Sequence, residues 1–250
     1  MINEKKITKY LLRILQILYR AIGKRTILTR YGVSMIANWG DTTFEYALLG
    51  DYGFKFSEYL NKLDFDFIFL DIGANQGLYS LIAAKNENLV KAYAFEPVPQ
   101  IGSRLLSNIK INQFCDKIEN VQAAISNKTG LAHIYFRESH SGRSTMNTPL
   151  PSNDAEKVEI STIDYTVLNE IVKSRGIPIV VKIDVEGHEK EVLEQLYKSD
   201  LRANMVAFFV EINLDRLDGE SIYSYFPAEE FSAEKVGSGR QFDVLFERKL

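Results

Sequence analysis

Short, unbroken apolar runs recur along this chain, and several of them stop abruptly at an acidic residue. Phe67-Ile-Phe-Leu70 ends at Asp71, Ala92-Tyr-Ala-Phe95 at Glu96-Pro97, and Met205-Val-Ala-Phe-Phe-Val210 at Glu211. Ile177-Pro-Ile-Val-Val-Lys-Ile-Asp184 is a similar run carrying two charges, and Phe242-Asp-Val-Leu-Phe246 closes the chain. Runs of this length, apolar on both faces, predict buried strands of a parallel sheet. Between them lie segments of helical periodicity: Leu78 to Ala84, Ile101 to Ile111, and Glu189 to Leu196 with Val192, Leu193 and Leu196 inward. Strand and helix in alternation predict an α/β fold. A third strand is expected over Asn120 to Ile125. Extra strands at His133-Ile-Tyr-Phe136 and Lys157-Val-Glu-Ile160 flank a polar loop, Arg137 to Asp154, with the length of a lid or substrate wall. Residues 31–66 read as an irregular, aromatic-rich approach with one short helix, Phe56 to Leu63. Residues 214–240 are weakly patterned.

The N-terminal segment differs from the rest. Residues 4–22 form a basic amphipathic helix in which Leu11, Ile14, Leu15, Leu18 and Ile22 share a face. The run is too short and too charged to span a bilayer, and no signal-peptide cleavage pattern follows it. Packing on the main domain or a partner subunit is the favoured reading. Peripheral contact with an anionic membrane surface is the alternative. Residues 1–30 carry eight Lys/Arg against Glu4 alone, so with an overall charge of −3 the remainder carries −10. That acidity disfavours nucleic acid as a partner. One cysteine, Cys115, excludes a disulfide framework and fits a cytoplasmic protein. The economical division is a helical extension, residues 1–60, followed by one α/β domain, residues 61–250.

The candidate chemistry sits where the apolar runs stop. Asp71-x-Gly73-x-x-x-Gly77 is a strand, a tight glycine turn and a helix start, which is the construction of a nucleotide-type crevice. The spacing differs from the Gly-x-Gly-x-x-Gly of dinucleotide binders, which argues against an NAD-dependent oxidoreductase. Glu96 lies 19 residues after Gly77, where the second strand of such a fold offers a carboxylate to ribose hydroxyls. Side chains alternate along a strand, so Lys182, Asp184 and Glu186 point one way and Val181, Ile183 and Val185 the other. Charges in a buried strand are costly unless paired or used.

Three motifs together resemble the FkbM family of S-adenosylmethionine-dependent methyltransferases: Leu70-Asp-Ile-Gly-Ala-Asn-Gln-Gly77, Phe95-Glu-Pro97 and Val181-Lys-Ile-Asp-Val-Glu-Gly-His-Glu189. Ser161-Thr-Ile-Asp164 and Val210-Glu211 add to the resemblance, which covers roughly residues 65–212. It implies a Rossmann-like class I methyltransferase fold, a mostly parallel seven-stranded sheet with helices on both faces and one antiparallel strand supplied by Phe242 to Phe246. It implies S-adenosyl-L-methionine as cofactor, held by Asp71, Gly73, Ala74, Asn75, Gly77, Glu96 and Pro97, with adenine near Ala124, Ile125 and Ser126, and with Asp184 beside it. The implied reaction is O-methylation of a hydroxyl on a glycan, glycolipid or natural-product small molecule. Asp184, Glu186, His188 and Glu211 are the catalytic candidates: Asp184 to orient, and Glu186 or His188 as base. A divalent cation among these carboxylates is a lesser alternative, since no metal-loop spacing is present. Two other functions compete: a non-catalytic cofactor-binding module docked on a membrane or complex, and an N- or nucleic-acid methyltransferase.

Overall fold

The structure is a computed structural model and describes residues 4–146, 155–215 and 222–249. Its centre is a seven-stranded sheet. Five neighbouring strands pair in parallel: β3 (Phe67–Ile72), β4 (Leu89–Phe95), β5 (Ile118–Val121), β9 (Ile179–Ile183) and β10 (Met205–Asn213). β12 (Gln241–Arg248) is antiparallel to β10, and β11 (Phe231–Val236) pairs with its far side. The spatial order is β11-β12-β10-β9-β3-β4-β5, so chain direction around the sheet switches between β3 and β9. Carboxyl ends on either side of such a switch form the natural ligand crevice of an open α/β sheet.

Each face of the sheet has its own core. Phe67, Phe69, Ala92, Ala94, Val180 and Phe209 pack on one side with α4 (Leu78–Lys85) and α5 (Pro99–Ile111). Ile68, Leu70, Ile72, Phe95, Val181, Ile183 and Val210 face the other side, against α6 (Tyr165–Ile171) and α7 (Glu189–Lys198). All six residues of β3 are buried, which accounts for its continuous apolar pattern.

Three segments differ from the sequence expectation. Residues 120–125 are not one strand. β5 ends at Val121 and β6 (Ala124–Ile125) joins a second sheet, pairing with β8 (Glu156–Ile163), itself antiparallel to β7 (Gly130–Phe136). Ala123 donates its amide to Val121, a tight turn that an apolar run conceals. The approach to the domain is also ordered. β1 (Thr26–Leu28) and β2 (Ser34–Ile36) make a hairpin, followed by α2 (Thr42–Leu49) and α3 (Lys55–Lys62). Strands of three residues are too short to display a period of two. Ile27, Met35, Phe44, Phe56 and Leu60 enter the same core as β3, and Phe56 stacks on Phe209 with ring centres 4.2 Å apart. β11 was hidden because it is an edge strand on which only Phe231 is buried.

Outside this body stands α1 (Glu4–Ala21). Tyr19 touches the core, but Ile17, Leu18 and Ile22 are 67%, 53% and 71% exposed, so the described part of its apolar face is largely uncovered. Among the described residues no helix is long and apolar enough to cross a membrane. The Arg137–Asp154 loop begins with a 3₁₀ turn, Glu138–Arg143, while residues 147–154 lie outside the described residues.

At Gly73, just past the end of β3, the chain passes close to Asp184, just past the end of β9. Gly73 has φ +76°, and a Cβ there would lie 1.9 Å from the Asp184 carbonyl oxygen. Both the conformation and the clash with main chain oppose any side chain. Gly73→Ala is expected to cost at least about 2 kcal/mol, read as a lower urea midpoint at unchanged m-value.

Candidate active site

The turn from Gly73 to Gly77 is held by hydrogen bonds to the end of β4. The amides of Gly73 and Ala74 both donate to the Phe95 carbonyl at 3.0 Å, and the Asn75 amide donates to Glu96 Oε2 at 2.9 Å. Asn75 has φ +50°, a left-handed conformation that asparagine tolerates better than most residues. Gly77 caps α4 at φ +88°, and a Cβ there would meet Leu105 Cδ1 at 2.2 Å. The second Glu96 oxygen accepts from the Val98 amide at 2.9 Å. Glu96 is thus fixed at the end of β4, with lone pairs remaining on both oxygens. Burial raises its pKa to about 7, opposed by the amides of Val98 and Asn75.

Beneath this turn lies a buried cation. Lys182 Nζ donates to the Gly73 carbonyl at 2.8 Å and stands 3.4 Å from Asp184 Oδ2 and 3.6 Å from Asp71 Oδ1. Burial pushes the lysine pKa down, but Asp184 and Asp71 outweigh it, and the net shift is upward. The other Asp71 oxygen accepts from the amide and hydroxyl of Ser80, at 3.0 and 2.6 Å. Asp71 is completely buried, beneath the turn rather than in the crevice wall, and it joins β3 to α4 and β9.

A cavity of about 310 Å³ opens over these strand ends. Gly73, Ala74, Asn75, Glu96, Pro97, Ala124 and Ile125 line one part of it together with His188, and Asp184, Glu186 and Glu211 another. Ser126 lies just behind, its hydroxyl 3.0 Å from His188 Nε2, so His188 belongs to the Ala124–Ile125 side. Burial lowers the His188 pKa and Glu191 partly offsets this, leaving a neutral imidazole at neutral pH.

Asp184, Glu186 and Glu211 form the opposite wall. Their nearest oxygens all lie within 4.8 Å of one another, a spacing that oxygen ligands of a divalent cation can adopt. Glu186 occupies a left-handed conformation at φ +54° between β9 and α7, and its carbonyl accepts from Thr145 Oγ1 at 2.8 Å. The neighbouring Glu189 turns inward instead, accepting from the amides of Val185 and Gly187. In the Asp-Val-Glu-Gly-His-Glu element the last acid therefore holds the turn that presents the first two. Glu211 is pushed up to about 9, first by burial and then by Asp184 and Glu186, and its Oε1 accepts from Gln241 at 2.8 Å. Asp243, opposite Glu211 on β12, is raised to about 7 by burial and by Asp184.

Sequence patterns concealed the third side of the cavity. Asp41 caps α2, accepting from Thr43, and also accepts from the amide and hydroxyl of Ser141 and from Gln76 Nε2. One carboxylate thereby joins the N-terminal segment, the cofactor-type turn and the 3₁₀ turn. Tyr46, Tyr52, Tyr79, His140 and Arg143 complete the lining. An Asp followed by a helix-like segment was the available signal for Asp41. Its remote partners had none.

A sheet reversed at its last paired strand, with an acid-ended glycine turn and a ribose-type carboxylate on the next strand, defines the class I methyltransferase architecture. The likeness extends to solved structures: an rRNA methylase from Streptococcus thermophilus superimposes with a TM-score of 0.50 at 13% identity, over 78% of this chain and 95% of that one. The protein belongs to the FkbM methyltransferase family, whose domain model matches residues 71–234, and it is a methyltransferase. It is 28% identical over 195 residues to the hexuronic acid methyltransferase AglP of Haloferax volcanii, covering 76% of this chain and 74% of that protein.

The raised Glu211 pKa has a consequence for stability. The folded chain holds a proton that the unfolded chain releases near pH 4.5, so the group destabilises the fold increasingly as pH rises from there toward 9. Glu211→Gln is therefore expected to melt higher than the parent at pH 8, with the difference vanishing near pH 4.5. Thermal denaturation at both pH values tests this.

Proposed function

We propose that the protein is an S-adenosyl-L-methionine-dependent O-methyltransferase acting on a hydroxyl of a glycan, a glycolipid or a natural-product small molecule. The observation that carries this reading is the meeting, in one cavity, of a ribose-type carboxylate with acidic side chains from two adjacent strand ends. The donor set fits the cofactor. Glu96 accepts from vicinal hydroxyls, Ala124 and Ile125 offer an apolar slot, and Gly73 and Ala74 bring the main chain of the turn to the cavity wall. When bound, the cofactor supplies an activated methyl group on a sulfonium. Asp71 serves as a positioning residue through Ser80 and Lys182.

In this reading the chain contributes alignment and a proton acceptor. Asp184, held by Lys182, orients the acceptor, and Glu186 takes the hydroxyl proton. Glu211, protonated at neutral pH, donates a hydrogen bond rather than acting as base. His188 supports the adenine side through Ser126. The likeness to a hexuronic acid methyltransferase supports a sugar acceptor. The acidity of the main domain speaks against nucleic acid. For α1 we propose peripheral contact with anionic lipid from the cytoplasmic side, because exposed Ile17, Leu18 and Ile22 share the segment with Arg13, Arg20 and Lys24.

Calorimetric titration is expected to show binding of S-adenosylmethionine and S-adenosylhomocysteine but not NAD, and Glu96→Ala should abolish or strongly weaken it. Ionised Glu96 is the better acceptor, so with a pKa of about 7 affinity should be about tenfold tighter at pH 8 than at pH 6. Failure of a folded protein to bind either thio-compound contradicts the reading. Glu186→Gln should keep S-adenosylhomocysteine affinity and lower kcat by about 10²-fold or more. Sedimentation with phosphatidylglycerol vesicles should require residues 1–25, and equal sedimentation without them removes the lipid contact.

A further inference from the structure

We infer that the cavity contains a second, separate subsite for a pyranose ring, with Tyr46 and Tyr52 as its aromatic platform and Glu186, Glu211 and Gln241 as its hydroxyl-binding edge. This deepens the methyltransferase reading and rests on it. The adenosine-type features occupy the wall formed by Glu96, Pro97, Ala124 and Ile125, and the remaining lining has a different composition. There, four rings stand in sequence: His140 to Tyr46 at 6.2 Å, Tyr46 to Tyr52 at 5.9 Å and Tyr52 to Tyr79 at 6.5 Å. The contacts are edge-on, with interplanar angles of 82°, 85° and 62°, so successive rings are not covered face to face by one another.

These rings are unlike the aromatic residues of the core. Phe44, two residues before Tyr46 on the same helix, is fully buried, as is Phe56 at 2% exposure. Tyr46 and Tyr52 line the cavity and remain 39% and 37% exposed. Aromatic surface left uncovered at a concave site, beside convergent polar groups, is the composition of a ligand pocket. A pyranose matches it because its two sides differ. The ring presents a patch of C–H bonds that packs on an aromatic face, while its hydroxyls lie around the rim. Ionised carboxylates accept from those hydroxyls, whereas protonated Glu211 and the Gln241 amide also donate. The phenol of Tyr79, raised by burial, stays protonated and adds a donor.

Arg143 gives the subsite a charge preference. It lines the same cavity, is exposed, and has no hydrogen-bond or ion-pair partner among the described residues. A guanidinium in that position is suited to a sugar carboxylate, which it can hold with paired hydrogen bonds. The platform and the carboxylate edge come from different parts of the chain, α2 and its following loop on one side, β9 and β10 on the other. The N-terminal segment is thereby part of acceptor recognition.

The test uses the full chain saturated with S-adenosylhomocysteine and saturation-transfer NMR with the methyl glycosides of glucose, galactose, mannose and glucuronic acid. At least one is expected to bind, with the strongest transfer to ring C–H protons. Tyr46→Ala should weaken it at least fivefold and Tyr46→Phe less than twofold, while S-adenosylhomocysteine affinity stays within twofold in both. Arg143→Gln should weaken the glucuronoside and leave the neutral glycosides unchanged. Retained S-adenosylhomocysteine binding without binding of any glycoside overturns the subsite, as does equal glycoside binding by Tyr46→Ala. Absence of S-adenosylhomocysteine binding in the parent protein overturns the cofactor reading beneath it.

Discussion

The close approach of the chain at Gly73 to Asp184 sets the geometry of the site. Strands β3 and β9 run parallel on either side of the switch in connection, and their ends meet where no Cβ fits. Lys182 closes the junction from below, donating to the Gly73 carbonyl while facing Asp71 and Asp184. A buried ion pair contributes little net stability, but removal of one member leaves a charge that nothing compensates. The arrangement therefore specifies geometry more than it adds stability. It sets the height of the glycine turn above the sheet, and through Asp184 it sets the acidic wall.

The acidic wall is electrostatically unfavourable in the absence of a ligand. Glu211 and Asp243 face each other across β10 and β12, and both are raised by burial and by Asp184. A site of this kind holds its members in different protonation states at one pH, which is how a set of similar carboxylates acquires different roles. Glu189 shows the structural counterpart. It has the same side chain as Glu186 three positions earlier, but it is turned inward onto the amides of Val185 and Gly187.

Much of this was legible in the sequence because it is local. Apolar runs that terminate in Asp71, Glu96, Asp184 and Glu211 locate the strand ends to within two residues, and glycines two and six positions after Asp71 identify the turn. What escaped depends on contacts distant in sequence. Asp41 reaches Ser141, one hundred positions away, and Gln76, thirty-five away, and none of the three carries a periodic signal. The β1–β2 hairpin is too short to alternate, β11 is too exposed to look apolar, and the turn between β5 and β6 is hidden inside one apolar run. Motif reading also could not separate Asp71 from the crevice-lining residues. The acid at the strand tip looks available, whereas Ser80 and Lys182 enclose it completely.

A crystal structure of the protein with S-adenosylhomocysteine would show whether the cofactor occupies the Gly73–Glu96 crevice and faces the acidic wall. Both ribose hydroxyls should lie on Glu96, adenine against Ala124 and Ile125, and the sulfur toward Asp184 and Glu186, with Gly73 and Lys182 unmoved. Adenosine bound outside the Gly73–Glu96 crevice, or a sulfur directed away from the acidic wall, would contradict this placement.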